Sequence, residues 1–110
     1  MQSALGADDL RSEVLQQLRS QRSDVSRPHR FDFYLYFPSE ADAKAASLRL
    51  MEEGLSVEVR RAAKGQDWLC FAKATLVPDT LKLSELGSLF AHLALSYKGE
   101  FDGWEAEIVK

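Results

Sequence analysis

FDFYLYFPS, residues 31–39, decides the fold. Phe31, Phe33, Leu35 and Phe37 alternate with Asp32, Tyr34 and Tyr36, so a strand here has one wholly apolar face and one aromatic, hydroxyl-bearing face. The first suits a core; the second suits a surface that stays partly wet. Pro38 ends the ladder because it has no amide proton to donate. Ser39 then reads as a helix cap, with Asp42 three residues on as a short-acid version of the capping box. Ala41, Ala43, Ala45, Ala46, Leu48 and Leu50 form the apolar side of that helix, mostly small enough to lie close on a sheet, and Gly54 stops it.

Reading outward, Leu55, Val57 and Val59 alternate with Ser56, Glu58 and Arg60 as a half-buried strand. A hairpin loop over Ala62 to Asp67, containing Gly65, leads to a second strand from Trp68 to about Leu76. Pro78-Asp79 is expected to start a long helix with Asp79 as its cap, carried by Leu86, Leu89, Phe90, Leu93 and Tyr97 and closed by Gly99. A last strand, Phe101 to Val109, puts Trp104, Ala106 and Ile108 on one face and Glu105 and Glu107 on the other. Upstream, Leu10, Val14 and Leu18 with Leu15 make one stripe of a helix from Asp8 to about Arg22, with Asp8 and Asp9 at its positive end. Ser23 to His29 breaks the pattern and reads as a linker.

The order strand, helix, strand, strand, helix, strand implies an α+β fold, a ferredoxin-like βαββαβ sandwich with two helices on one face of a four-stranded antiparallel sheet. The expected division is residues 1–29 as additional N-terminal helix and linker, and 30–110 as the ferredoxin-like domain. A chain of 110 residues buries about two-thirds of its unfolded surface, enough for one core without staples. No stretch has the roughly 18 apolar residues of a membrane span, and the opening residues lack the apolar run of a secretory signal, so a cytoplasmic protein is expected. The net charge of −3 argues against non-specific coating of nucleic acid. The balance is uneven, because Glu100, Asp102, Glu105 and Glu107 crowd the C-terminal strand, a surface suited to a basic protein partner.

Catalytic candidates are thin. Cys70 is mid-strand, where a free cysteine is ordinarily a small buried hydrophobe, and it cannot form a disulfide or a thiolate zinc cluster alone. His29 falls in the linker and His92 on a helix, without metal-ligand spacing. The six glycines form no phosphate cradle. No catalytic residue, metal or cofactor is assigned. The RNA recognition motif uses the same strand order, with aromatic residues on the central strands stacking bases. Here Tyr34 and Tyr36, with the basic stretch Arg19, Arg22, Arg27, His29 and Arg30, give an alternative RNA-binding reading. Yet Trp68 to Thr75 lacks the glycine-containing basic-aromatic signature of that motif, so direct RNA contact is not expected.

The segment Gly99-Glu100-Phe101-Asp102-Gly103-Trp104-Glu105 resembles the signature of the regulator of ribonuclease E activity B family (RraB), whose members carry Tyr/Phe-Asp-Gly-Trp at this point. The likeness runs over residues 30–109, through Phe37-Pro38-Ser39, the alanine-rich helix and Gly54-Leu55-Ser56-Val57. It implies a regulatory protein without catalysis that binds endoribonuclease E through that enzyme's disordered, arginine-rich scaffold region and lowers its RNA cleavage. Independently of the name, Gly103 within a strand suggests a bulge or a close approach by another backbone, and Trp104 is a large anchor whose indole proton needs an acceptor. The residues expected at the protein interface are Tyr34, Tyr36, Glu100, Asp102, Trp104, Glu105 and Glu107. Self-association through Leu10, Val14 and Leu18 is a further expectation.

Overall fold

The apolar alternation of FDFYLYF places its strand at the centre of an antiparallel sheet. The computed structural model describes residues 7–63 and 65–110. Its elements are α1 (Ala7–Ser20), β1 (His29–Phe37), α2 (Glu40–Glu52), β2 (Ser56–Arg61), β3 (Trp68–Leu76), α3 (Lys82–Ser96) and β4 (Glu100–Ala106). The strands form one four-stranded sheet in the order β2-β3-β1-β4, every neighbouring pair antiparallel. The chain is therefore α+β, with the aromatic strand and β3 in the middle.

Phe31, Phe33, Leu35 and Phe37 are all fully buried. Opposite them in register stand Ala74, Ala72, Cys70 and Trp68 of β3, so the small residues lie where helices approach. The Phe33 ring meets Phe90 of α3 at 4.9 Å, and the Cys70 thiol donates to the Ala43 carbonyl of α2 at 3.1 Å. Both helices thus cover the same face. Ser39 caps α2, its hydroxyl accepting the Asp42 amide at 3.1 Å, and Gly54 takes the left-handed conformation just past the helix, both as expected.

Several expectations need correction. Leu48 is not on the apolar side of α2: the buried set is Ala43, Ala46, Ser47 and Leu50, and Leu48 is 61% exposed. α3 starts at Lys82 rather than Pro78-Asp79, because Asp79 is held by other segments. Its amide donates to the Val25 carbonyl at 3.1 Å and its carboxylate takes the Arg11 guanidinium at 2.7 Å. Gly99 does not supply the left-handed turn after α3; Lys98 does, at φ +59°. Gly99 is required instead by close approach, since a Cβ there would lie 2.3 Å from the Tyr36 carbonyl oxygen. β4 ends at Ala106, so Ile108, expected on its apolar face, lies beyond the strand and is exposed.

The first segment is part of the core. Leu10, Val14 and Leu18 are buried with the β1 phenylalanines, and α1 packs on α3. The stripe read as a self-association surface is therefore covered within the chain itself. The side chains of Asp8 and Asp9, expected at the helix's positive end, lie outside the described residues, as do residues 1–6. Nor is Ser23 to His29 a free linker, for His29 opens β1 and is completely buried. Its Nδ1 donates to the Arg27 carbonyl at 2.8 Å, and its Nε2 lies 2.6 Å from the Ser23 hydroxyl. That hydroxyl accepts the Val109 amide at 2.8 Å, which ties the start of β1 to the end of the chain. A polar pattern here signals a satisfied buried network, which composition cannot distinguish from a solvated tether.

Candidate protein-interaction face

The face of the sheet turned away from α2 and α3 carries the side chains that alternate with the core. Strand register lays them in rows. One row runs Arg60, Leu69, Tyr36, Glu100, and the next runs Glu58, Phe71, Tyr34, Gly103. A third runs Ser56, Lys73, Asp32, Glu105. Beyond it Arg30 pairs with Glu107, whose carboxylate takes the Arg30 amide at 3.0 Å and its guanidinium at 3.2 Å.

The centre of this face is aromatic. Tyr34 and Phe71 lie ring to ring at 5.2 Å, with Tyr36 one row away. Arg60 lies over the Phe71 ring at 5.1 Å and Lys73 at 4.9 Å, so cations border the aromatic centre on the β2–β3 side. Acids border it on the β4 side, where Glu100, Asp102 and Glu105 are all exposed. The Tyr34 hydroxyl donates to Glu105 at 2.8 Å. That bond to a carboxylate holds the phenol proton and pushes the Tyr34 pKa up to about 12. Glu107 moves the other way: the Arg30 amide and then its guanidinium stabilise the carboxylate and lower its pKa. Acids thus gather at the β4 side and cations at the β2–β3 side, three strand spacings or about 14 Å from β2 to β4.

Of the seven residues expected at an interface, the structure brings Tyr34, Tyr36, Glu100 and Glu105 together on this face, with Glu107 at its end. Asp102 sits at a bulge. Tyr34 pairs with Gly103 and Leu35 with Phe101, so Asp102 is the extra residue, and Gly103 takes φ +150°. Of the two readings of Gly103, the bulge is the one present, and no other atom lies within 4 Å of where a Cβ would sit. Trp104 points the opposite way. It pairs with Phe33 on the helix-covered face, its ring is 6.1 Å from Phe31, and its indole donates to Glu13 of α1 at 2.7 Å. The glycine bulge explains the pattern, because one extra residue puts both Phe101 and Trp104 on the inner side of β4.

Phe71, Arg60 and Lys73 were missed as site residues. Alternation along a strand places Leu69, Phe71 and Lys73 on one face, but only the pairing of Phe71 with Tyr34 shows that this is the tyrosine face. A groove of about 870 Å³ opens at the end of the sheet where β1 begins, walled by Gln17 of α1, Gln21 just after it, Arg30, Lys73, Glu105 and Glu107.

The site has little to offer covalent chemistry. Burial pushes the Cys70 thiol up to about 12. The chain does bring a hydroxyl and an imidazole together at Ser23 and His29, a pair the sequence did not reveal, but they are only 7% and 0% exposed and serve the fold. Among the described residues no three His, Cys, Asp or Glu side chains converge as a metal site.

Together these features define an α+β protein whose antiparallel sheet is covered by helices on one face and leaves a polarised aromatic surface on the other. A family model described as regulator of ribonuclease activity B matches residues 8–106, nearly the whole chain, and takes in α1 as well as the sheet. The chain belongs to that family, and its class is regulation of ribonuclease activity. No curated protein matches it. Among the described residues no helix is long and apolar enough to cross a membrane.

Proposed function

We propose that this protein regulates ribonuclease E by binding its arginine-rich scaffold region, without chemistry of its own, in the cytoplasm. The observation that carries this reading is the segregation of charge on the open sheet face. Glu100, Asp102 and Glu105 line one side of the Tyr34–Phe71–Tyr36 surface, and Arg60 and Lys73 lie on the other, where Glu58 pairs with Arg60 and Asp32 stands opposite Lys73. A disordered basic segment is drawn to the acids by long-range attraction and gains desolvated contact on the rings. The groove beside Glu105 and Glu107 provides room for an extended chain to continue. The strand order β2-β3-β1-β4, with α2 and α3 on one face, supports the ferredoxin-like sandwich as the scaffold of this surface.

Calorimetric titration with the scaffold region of the host's own ribonuclease E, at two salt concentrations, tests the proposal. Saturable binding that weakens with salt is expected, and replacing Glu100, Asp102, Glu105 and Glu107 by their amides weakens it and flattens the salt dependence. Affinity unchanged in that variant overturns the assignment of the acids. Retention of RNA that disappears on Tyr34→Ala with Tyr36→Ala, and no binding to the scaffold, replaces it with the nucleic-acid reading.

A further inference from the structure

β2 is an outermost strand, and in an antiparallel sheet alternate backbone amides and carbonyls of such a strand face away from its only partner. The other outermost strand, β4, is broken by the bulge at Asp102–Gly103 and lined by acids that repel a copy of themselves. β2 is different: its pairing with β3 runs without a shift from Ser56 to Arg61. Val57 and Val59 are half-buried on the helix side, and Glu58 and Arg60 stand exposed on the open side, joined at 2.9 Å.

We infer that two copies of this chain pair antiparallel through their β2 edges, centred on Val59, to form one continuous sheet. Residues directly opposite in an antiparallel pair project to the same side, so a two-fold pairing that keeps the valines together must be centred on a residue. Centring on Glu58 sets Glu58 against itself, and centring on Arg60 sets Arg60 against itself. Centring on Val59 sets Glu58 opposite the partner's Arg60, and Arg60 opposite the partner's Glu58, with Val59 meeting its own copy and Val57 facing the partner's Arg61. The strand is self-complementary in that register and self-repelling in those on either side.

A second observation lies on α2. This helix rests on β2 and β3, burying Ala43, Ala46, Ser47 and Leu50. Its flank towards α3 is marked by Glu53, which Lys82 reaches at 3.6 Å. Met51 lies about 160° round the helix from Glu53, on the flank away from α3, and is 45% exposed. With strands about 4.8 Å apart and α2 centred over the β2–β3 pair, joining two β2 edges brings the two α2 axes to roughly 10 Å, the spacing at which helices pack. Met51, beside the Glu40–Lys44 ion pair, thereby gains a partner from the same operation that pairs the charges.

The interface falls at the small end of the range, roughly 1,000 Å², so a dimer that dissociates at micromolar concentration is expected in sedimentation equilibrium of the full chain. Glu58→Arg sets like charges opposite each other twice and weakens the dimer about tenfold or more, with the far-UV circular dichroism unchanged. Glu58→Arg combined with Arg60→Glu restores it. Val59→Cys cross-links into a covalent dimer on mild oxidation, because the residue faces its own copy, whereas Val57→Cys does not. A chain that stays monomeric at its highest soluble concentration overturns the inference. So does a dimer indifferent to Glu58→Arg, or cross-linking equally fast at residues 57 and 59.

Discussion

Replacing Gly99 by alanine is expected to be among the most damaging single-methyl additions this fold can receive. Gly99 lies between α3 and β4, where the chain passes directly over the end of β1. An added Cβ would lie 2.3 Å from the Tyr36 carbonyl oxygen and 2.5 and 2.8 Å from the Cδ1 and Cε1 atoms of Phe37. Ordinary contacts at these atom types begin near 3.4 Å, so the overlap is about 1 Å at two of the atoms and about 0.6 Å at the third. None of these atoms yields easily, since one is backbone of a central strand and the others belong to a ring only 1% exposed. Relief requires moving the entry of β4 away from β1 and opening the Phe37 packing. The cost sits at the upper end for overpacking, about 3 kcal/mol, which lowers the melting midpoint of a domain this size by on the order of 10 °C. Thermal and urea unfolding of Gly99→Ala measure it, with Gly54→Ala as control. At Gly54 no atom lies within 4 Å of the added Cβ, and only the left-handed backbone opposes it. A Gly99→Ala midpoint within a degree or two of the parent, or a smaller loss than Gly54→Ala, would refute the close-approach argument.

Ser23→Ala removes the partner of both the Val109 amide and the His29 imidazole and is expected to cost about 1–3 kcal/mol; an unmoved urea midpoint would mean that segment is a loose tether after all. Leu18→Ala, on a helix read from sequence as an addition, should cost about 2–5 kcal/mol as a core deletion, whereas a peripheral helix would register almost nothing. In ultraviolet titration Tyr34 should ionise near pH 12, against an ordinary 10.0, and Glu105→Gln should bring it down, Tyr34→Phe identifying the signal. Because the folded pKa is the raised one, whatever stability the Tyr34–Glu105 bond contributes is fully present below pH 10 and is lost as pH rises through 12. Cys70, buried with its pKa raised to about 12, should resist thiol reagents at pH 8 in the native protein and react at once on unfolding; rapid native labelling would contradict that burial.

The elements and their order were legible because they follow from covalent geometry repeated along the chain. Side chains alternate in a strand and recur every 3.6 residues in a helix, so Phe31 to Phe37 and the stripe of Leu10, Val14 and Leu18 announce which faces are apolar. The cap at Ser39, the stop at Gly54 and the bulge at Gly103 were readable for the same reason, each being set by residues within a few positions. Periodicity misled at Leu48, where an alanine-rich helix offers several similar apolar arcs and only contact with the sheet selects one. It also misplaced the start of α3, because the carboxylate of Asp79 was taken by Arg11, a residue of another helix.

What only the tertiary structure decided are the relations between segments far apart in sequence. That Phe71 shares a face with Tyr34, that Trp104 answers to Glu13, that Ser23 holds Val109, and that Gly99 has no room for a methyl all depend on strand register and helix docking. The candidate site belongs to this second kind. Its acids were visible as a cluster in the sequence, but their placement along one side of an aromatic sheet face, with cations opposite, exists only once four strands are paired. Local stereochemistry determines which way each side chain points along its own strand; which residues then stand together is settled by long-range pairing, whose free energy is summed over the whole core and is carried by no single stretch of the chain.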